Sequence, residues 1–189
     1  NSSNATAANA AITQMLNDNV EFLSVDASMT QFVDEINQSN PLFEYIERRL
    51  NVATNLRMSR TLSSFLDENS DSRKTKYYEA GNALNQGDYT NGVGSGTIAI
   101  VNLKATTPVL LMSKEESLFL QSEAKLRNND TTSAKNLYEA AVNSNFSRYN
   151  LSGSSYLTGV YAFPDAGTFE EKLETLITQK WIASFPGNG

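Results

Sequence analysis

Apolar residues recur at helical spacing through most of the chain, and the rhythm fails in one long stretch. It is clearest in a helical hairpin, Ser113 to Phe146, whose second arm carries Ala134, Leu137, Tyr138, Ala141 and Val142 on one stripe. The first arm, with Leu118, Phe119, Leu120, Ala124 and Leu126, is less regular, as expected of a helix covered on more than one side. Asn128-Asn129-Asp130 supplies the turn between them. A third helix, Thr168 to Phe185, opens on a capping box of Thr168 with Glu171 and covers the hairpin. Its apolar stripe reads Phe169, Leu173, Ile177, Trp181 and Phe185, which assigns the single tryptophan to the core.

The N-terminal part reads less evenly. Thr6 is positioned to cap a helix with Ala8, Ala11, Ile12, Met15 and Leu16 on its inner face. Ser28-Met29-Thr30-Gln31 has capping-box form and predicts a second helix with Met29, Phe32, Val33 and Ile36 inside, ended by Asn40-Pro41. Pro41 to Asn55 is ambiguous, and another helix follows from about Ser59 with Leu62, Phe65 and Leu66 facing inward. Residues 1–80 are therefore the first helical part, 81–107 a Gly- and Asn-rich irregular insert with a small β element near Ile98 to Val101, and 108–189 the hairpin with its covering helix. The fold class is mainly α, built from hairpins like those of tetratricopeptide repeats.

Composition narrows the chemistry. The formal net charge of −6 and the absence of any basic cluster argue against nucleic acid, whose binding depends on clustered Lys and Arg. With neither His nor Cys, catalysis would fall to carboxylates, Tyr, Lys or Ser, and no cofactor site is indicated. No stretch reads as a signal peptide or membrane span; Val109 to Met112 is the longest purely apolar run. Both ends of the sequence look cut.

Three polar clusters invite functional readings that their spacing does not support. Glu115 and Glu116, with Glu123, could be general acid and base, but the first two sit in the first turn of a helix, where the dipole favours carboxylates. Asp67, Glu68 and Asp71 offer oxygen ligands without calcium-loop spacing. Gly92, Gly94 and Gly96 follow no predicted strand and lead into no helix, as a phosphate-cradling loop would require. Loop aromatics are better placed. Tyr89, flanked by Asn85 and Asp88, together with Tyr156 and Tyr161, could lay a ring against a sugar while amides and carboxylates bond its hydroxyls. Tyr77, Tyr78 and Phe163 belong to the same wider set.

Several segments resemble the SusD/RagB-like proteins, especially their divergent branch. Ser113 to Lys125 is similar to the family's "aEa-fLqAEA" segment, Leu137-Tyr138-Glu139-Ala140-Ala141-Val142 to its "lYeaAI" helix, and Leu176-Ile177-Thr178-Gln179-Lys180-Trp181-Ile182-Ala183 to its "I-tQKWiA" helix. Asn40-Pro41-Leu42-Phe43 resembles that branch's "NPl-y", and Asp71-Ser72-Arg73 stands where it usually has Asp-Pro-Arg. The resemblance implies a non-catalytic, surface-exposed outer-membrane lipoprotein that binds an oligosaccharide or other nutrient over a SusC-like TonB-dependent transporter. It implies also that this chain is a fragment of one SusD-like domain, with the N-terminal lipid anchor outside it. Two other readings of the residues stay open: a tetratricopeptide-like adaptor for another protein, and a carboxylate-dependent glycosidase.

Overall fold

The computed structural model describes residues 4–18, 20–88 and 97–186. They form two compact units, the first from residues 4–18, 20–27 and 112–184, the second from 28–88, 97–111 and 185–186. Helices dominate, so the fold is mainly α as the sequence predicts, with little sheet.

The first unit is organised by the hairpin of α5 (Lys114–Arg127) and α6 (Thr131–Arg148). Each arm starts on a side-chain cap: the Ser113 hydroxyl accepts from the Glu116 N–H at 3.1 Å, and the Asp130 carboxylate from the Ser133 N–H at 3.1 Å. Asn129, at φ 60°, makes the turn in a left-handed conformation that Asn tolerates. Ala134, Tyr138, Ala141, Val142 and Phe146 are buried along α6, and small residues let the backbones close until the Ser122 hydroxyl donates to the Ala134 carbonyl at 2.7 Å. Helix α8 (Phe169–Ala183) packs on both arms and mainly on α5, and it opens with the capping box read from Thr168 and Glu171.

Helix α8 buries a different face from the predicted one. Leu176, Gln179, Ile182 and Ala183 are inside, whereas Trp181 is 44% exposed and Ile177 and Phe169 are exposed with it. The helix is apolar on two adjacent faces, and the Gln179 amide is buried with the first. On this placement Ile182→Ala loses about 2–4 kcal/mol through cavity formation. Trp181→Ala loses less than half as much; chemical denaturation that ranks the pair the other way would refute the assignment of faces.

Helix α1 (Ala5–Asn17) is capped by Asn4, not Thr6: the Asn4 side chain accepts from the Ala7 N–H at 3.0 Å. It lies on α5 and leaves most of its surface exposed. The chain then returns through Asp26, whose carboxylate accepts from the Lys114 N–H at 2.9 Å at the start of α5.

In the second unit the predicted helix at Met29 to Ile36 does not form. Ala27–Met29 is instead strand β1, paired with β2 (Val109–Met112). Residues 30–40 turn back on themselves, with the Val33 N–H donating to the Gln38 carbonyl at 3.0 Å and Asn37 at φ 62°. Cross-strand backbone bonding takes up the residues that the capping box would have used. Pro41–Phe43 is a single turn, α2, capped by Asn40, and it continues as a π-helical turn over Glu44–Arg49. Helices α3 (Arg60–Glu68) and α4 (Lys74–Tyr77) follow, the first burying Leu62 and Leu66 as predicted. Between them the side chains of Asp71 and Arg73 are completely buried and paired, Nη2 to Oδ2 at 2.6 Å. Phe185 packs against the rings of Tyr77 and Tyr78 at 4.9 and 4.8 Å between centroids. The Tyr78 hydroxyl is buried without a hydrogen-bond partner among the described residues, and burial pushes it up to about 12.

Candidate functional site

The described part of the stretch read as an irregular insert, residues 81–88 and 97–107, is more firmly held than its composition suggests. Three pieces of backbone interlock around buried Met58, Leu84 and Ala99: the Met58 N–H donates to the Ala99 carbonyl at 2.8 Å, the Ala99 N–H to Asn82 at 3.0 Å, and the Leu84 N–H to Met58 at 3.1 Å. Gly81 makes the closest approach. At φ 155° it lies where a Cβ would stand 2.6 Å from the Ala99 nitrogen, so no larger residue fits without moving backbone. The small β element near Ile98 to Val101 is present as isolated bridges, Arg57 with Ile100 and Tyr78 with Val101 among them.

A polar turn projects from this framework. The Asp88 N–H donates to the Asn85 carbonyl at 3.1 Å, and the Asn85 amide lies 3.5 Å from the Asp88 carboxylate, so both side chains are carried by one turn. Asn85 is exposed and Asp88 half-buried. Tyr89 and the Gly92, Gly94 and Gly96 series lie outside the described residues.

Tyr156 and Tyr161 belong to the first unit, where α7 (Ser154–Leu157) caps the end of α6. Their rings stack at 5.6 Å with 19° between planes, and Tyr156 leans on Phe146 at 4.8 Å. Tyr161 is only 4% exposed, and its carbonyl accepts from the buried Tyr138 hydroxyl at 2.7 Å. Phe163 is buried beside Tyr138, with centroids 5.5 Å apart. These two are therefore packing residues in this unit, and the half-buried Tyr156 is the accessible ring of the stack.

The carboxylate clusters resolve into ion pairs. Asp67 is held by Lys74 at 2.6 Å and Asp71 by Arg73, and among the described residues no group of three acidic side chains is arranged to hold a metal ion. Glu115 is buried and bonded to Arg148, which also grips both oxygens of Asp26 at 2.8 and 2.9 Å. The bond from Arg148 holds the Asp26 carboxyl below the usual range, with the Lys114 N–H adding to it against the effect of burial. Burial would lower the Arg148 guanidinium, but the two carboxylates outweigh it and raise it. A glycosidase needs one carboxyl pushed upward to act as acid; Asp26 is pushed the other way. This triad was invisible in the sequence, because Asp26 and Arg148 lie 122 residues apart.

A cavity of about 510 Å³ in the first unit lies between α1 and α5 and is lined by Ile12, Met15, Leu16, Phe22, Leu120 and Ala124 among others. Its lining is mostly apolar and suits hydrocarbon better than a hydroxyl-rich ligand.

The fold therefore defines a helical-hairpin protein with an exposed polar turn and an arginine that holds two carboxylates. The chain belongs to the SusD-like family described as starch-binding and associating with the outer membrane, whose family model matches residues 1–188. Among solved structures it is similar to a SusD homologue of Bacteroides vulgatus, at 25% identity and a TM-score of 0.66 over 96% of this chain and 44% of that one. A SusD homologue of Bacteroides uniformis matches at 23% identity and 0.67 over 85% of this chain and 40% of that one. A Bacteroidetes SusD-like protein matches at 16% and 0.73 over 96% and 52%. This chain thus spans about half the length of these structures or less. Among curated proteins the sequence has no match.

Proposed function

We propose that this chain is part of a non-catalytic nutrient-binding protein of the outer membrane. It takes up an oligosaccharide at the cell surface and passes it to a SusC-like TonB-dependent transporter. The observation that carries the reading is the family match across residues 1–188. The acidic net charge and the lack of His agree with it, as does the engagement of Asp26 and Glu115 by one arginine, which leaves that pair no role as acid and base. Attachment to the membrane is through an N-terminal lipid anchor on the longer protein, which keeps the bound nutrient at the surface beside the transporter.

Asn85, Asp88 and Tyr89 are proposed as one contact patch, and Tyr156 as a second, with Tyr161 supporting its ring from beneath. Titration calorimetry with maltoheptaose tests both. Tyr89→Ala and Tyr156→Ala are each expected to weaken binding about tenfold, a loss of about 1.4 kcal/mol. Chromatography of the same mixtures should return the sugar intact. Release of shorter products would overturn the non-catalytic reading, and unchanged affinity in both variants would remove these residues from the site.

The apolar cavity between α1 and α5 favours a second reading, an adaptor that takes an amphipathic helix. Binding of such a peptide without affinity for any glycan would put that reading in place of the first.

A further inference from the structure

A second cavity, of about 310 Å³, opens beside the π-helical turn in the second unit, lined by Asn37, Ser39, Pro41, Glu44, Tyr45 and Arg49. Its volume is at the lower end of ligand pockets, which run from roughly 300 Å³ upward, and suits one sugar ring and its substituents. Side chains four apart are neighbours on this turn, as they are on an ordinary α-helix. Tyr45 and Arg49 are such a pair, and so are Glu44 and Arg48.

The two pairs differ in chemistry. Glu44 forms a closed floor: its carboxylate accepts from the Ser39 hydroxyl at 2.5 Å and from Arg48 at 3.3 Å, and these bonds with the Asn37 N–H hold it below the usual range. Arg48 is further engaged by Asp34 and lies 5.6 Å from the Phe43 ring. Arg49 lines the cavity and forms no ion pair among the described residues; one Nη donates to the Asn37 amide oxygen at 3.2 Å. That leaves a guanidinium with most of its fork of donors available beside Tyr45, whose side chain is 53% exposed. Asn37, in its left-handed turn at φ 62°, keeps its amide N–H donors for a further bond.

The geometry points to a subsite for an acidic sugar, a hexuronate residue of a glycan. The C–H face of the ring lies on Tyr45, the carboxylate is bound by Arg49, and a neighbouring hydroxyl is bound by Asn37. Glu44, the one carboxylate lining the cavity among the described residues, feels the charge of Arg49 but takes its hydrogen bonds from Ser39, Arg48 and the Asn37 N–H, so the donors of Arg49 stay available to a ligand. This inference rests on the glycan-binding reading and adds to it a place and a charge class of ligand. Little in the sequence points to it, because Pro41 to Asn55 fits no single helical register and Asn37 and Ser39 join the lining from outside that stretch.

The test is titration of the chain with trigalacturonate and with a neutral galactotriose of the same linkage, beside a broad array of neutral glycans. The parent is expected to bind trigalacturonate at least tenfold more tightly, with affinity that falls as salt rises. Arg49→Gln should abolish the preference, and Tyr45→Ala should weaken both ligands at least tenfold, with unchanged circular dichroism showing that each variant folds. Equal affinity for the two sugars, or a preference that survives Arg49→Gln, overturns the subsite. Binding of neutral glycans that neither variant alters removes the subsite and leaves the broader reading standing. Binding of no glycan removes both.

Discussion

Asp71→Ala is expected to lose about 3–5 kcal/mol of stability, because it strands a buried guanidinium. The side chains of Asp71 and Arg73 are both 0% exposed, and the arginine Nε donates to the carboxylate oxygens at 3.1 Å while Nη2 reaches Oδ2 at 2.6 Å. The same carboxylate accepts the Arg73 N–H at 2.9 Å, so it also fixes the bend between α3 and α4. In a chain of this size such a loss lowers the melting temperature by roughly 10 °C or more. Asp71→Ala with Arg73→Leu should recover a substantial part, since removing both charges is less costly than stranding one. A single variant within 1 kcal/mol of the parent, measured by urea unfolding, would show that the pair does not anchor this unit.

The second large effect concerns the first unit. Arg148→Met is expected to cost about 3 kcal/mol, the low end for breaking a buried pair, because Arg148 itself is partly exposed while Glu115 is not. The loss has a pH signature. Bonding to Arg148 depresses the Asp26 carboxyl, so the unfolded state binds its proton at a higher pH than the folded state does. The stabilisation is fully present above the unfolded carboxylate value, near 3.9, and is lost as pH falls through the lower folded value. The parent should therefore destabilise in acid more steeply than the variant. Parallel acid limbs for the two proteins would show that Asp26 draws nothing from Arg148.

Much of the first unit was legible because its signals are local. The capping box of Thr168 and Glu171, the Asn129 turn and the stripe on α6 all act within a few residues, and each stands where the sequence places it. The candidate site was legible only in part. Asn85 and Asp88 share a turn as their spacing suggests, but Tyr161 lies in the packing of its unit. A tyrosine in a Gly- and Ser-rich stretch carries no local mark of whether its ring faces water or α6.

The sequence by itself determined the helical class, the hairpin and its covering helix, and the family, since periodicity, capping and short motifs are written within single segments. Tertiary structure alone decided four things: which apolar face of α8 is buried, that Ala27–Met29 pairs as a strand, that Arg148 gathers Asp26 and Glu115, and that Asn37 and Ser39 meet Tyr45 and Arg49 around one cavity on a π turn. Each of these depends on distant partners or on a local winding that competes closely with the ordinary helix. No pattern within one segment encodes that outcome.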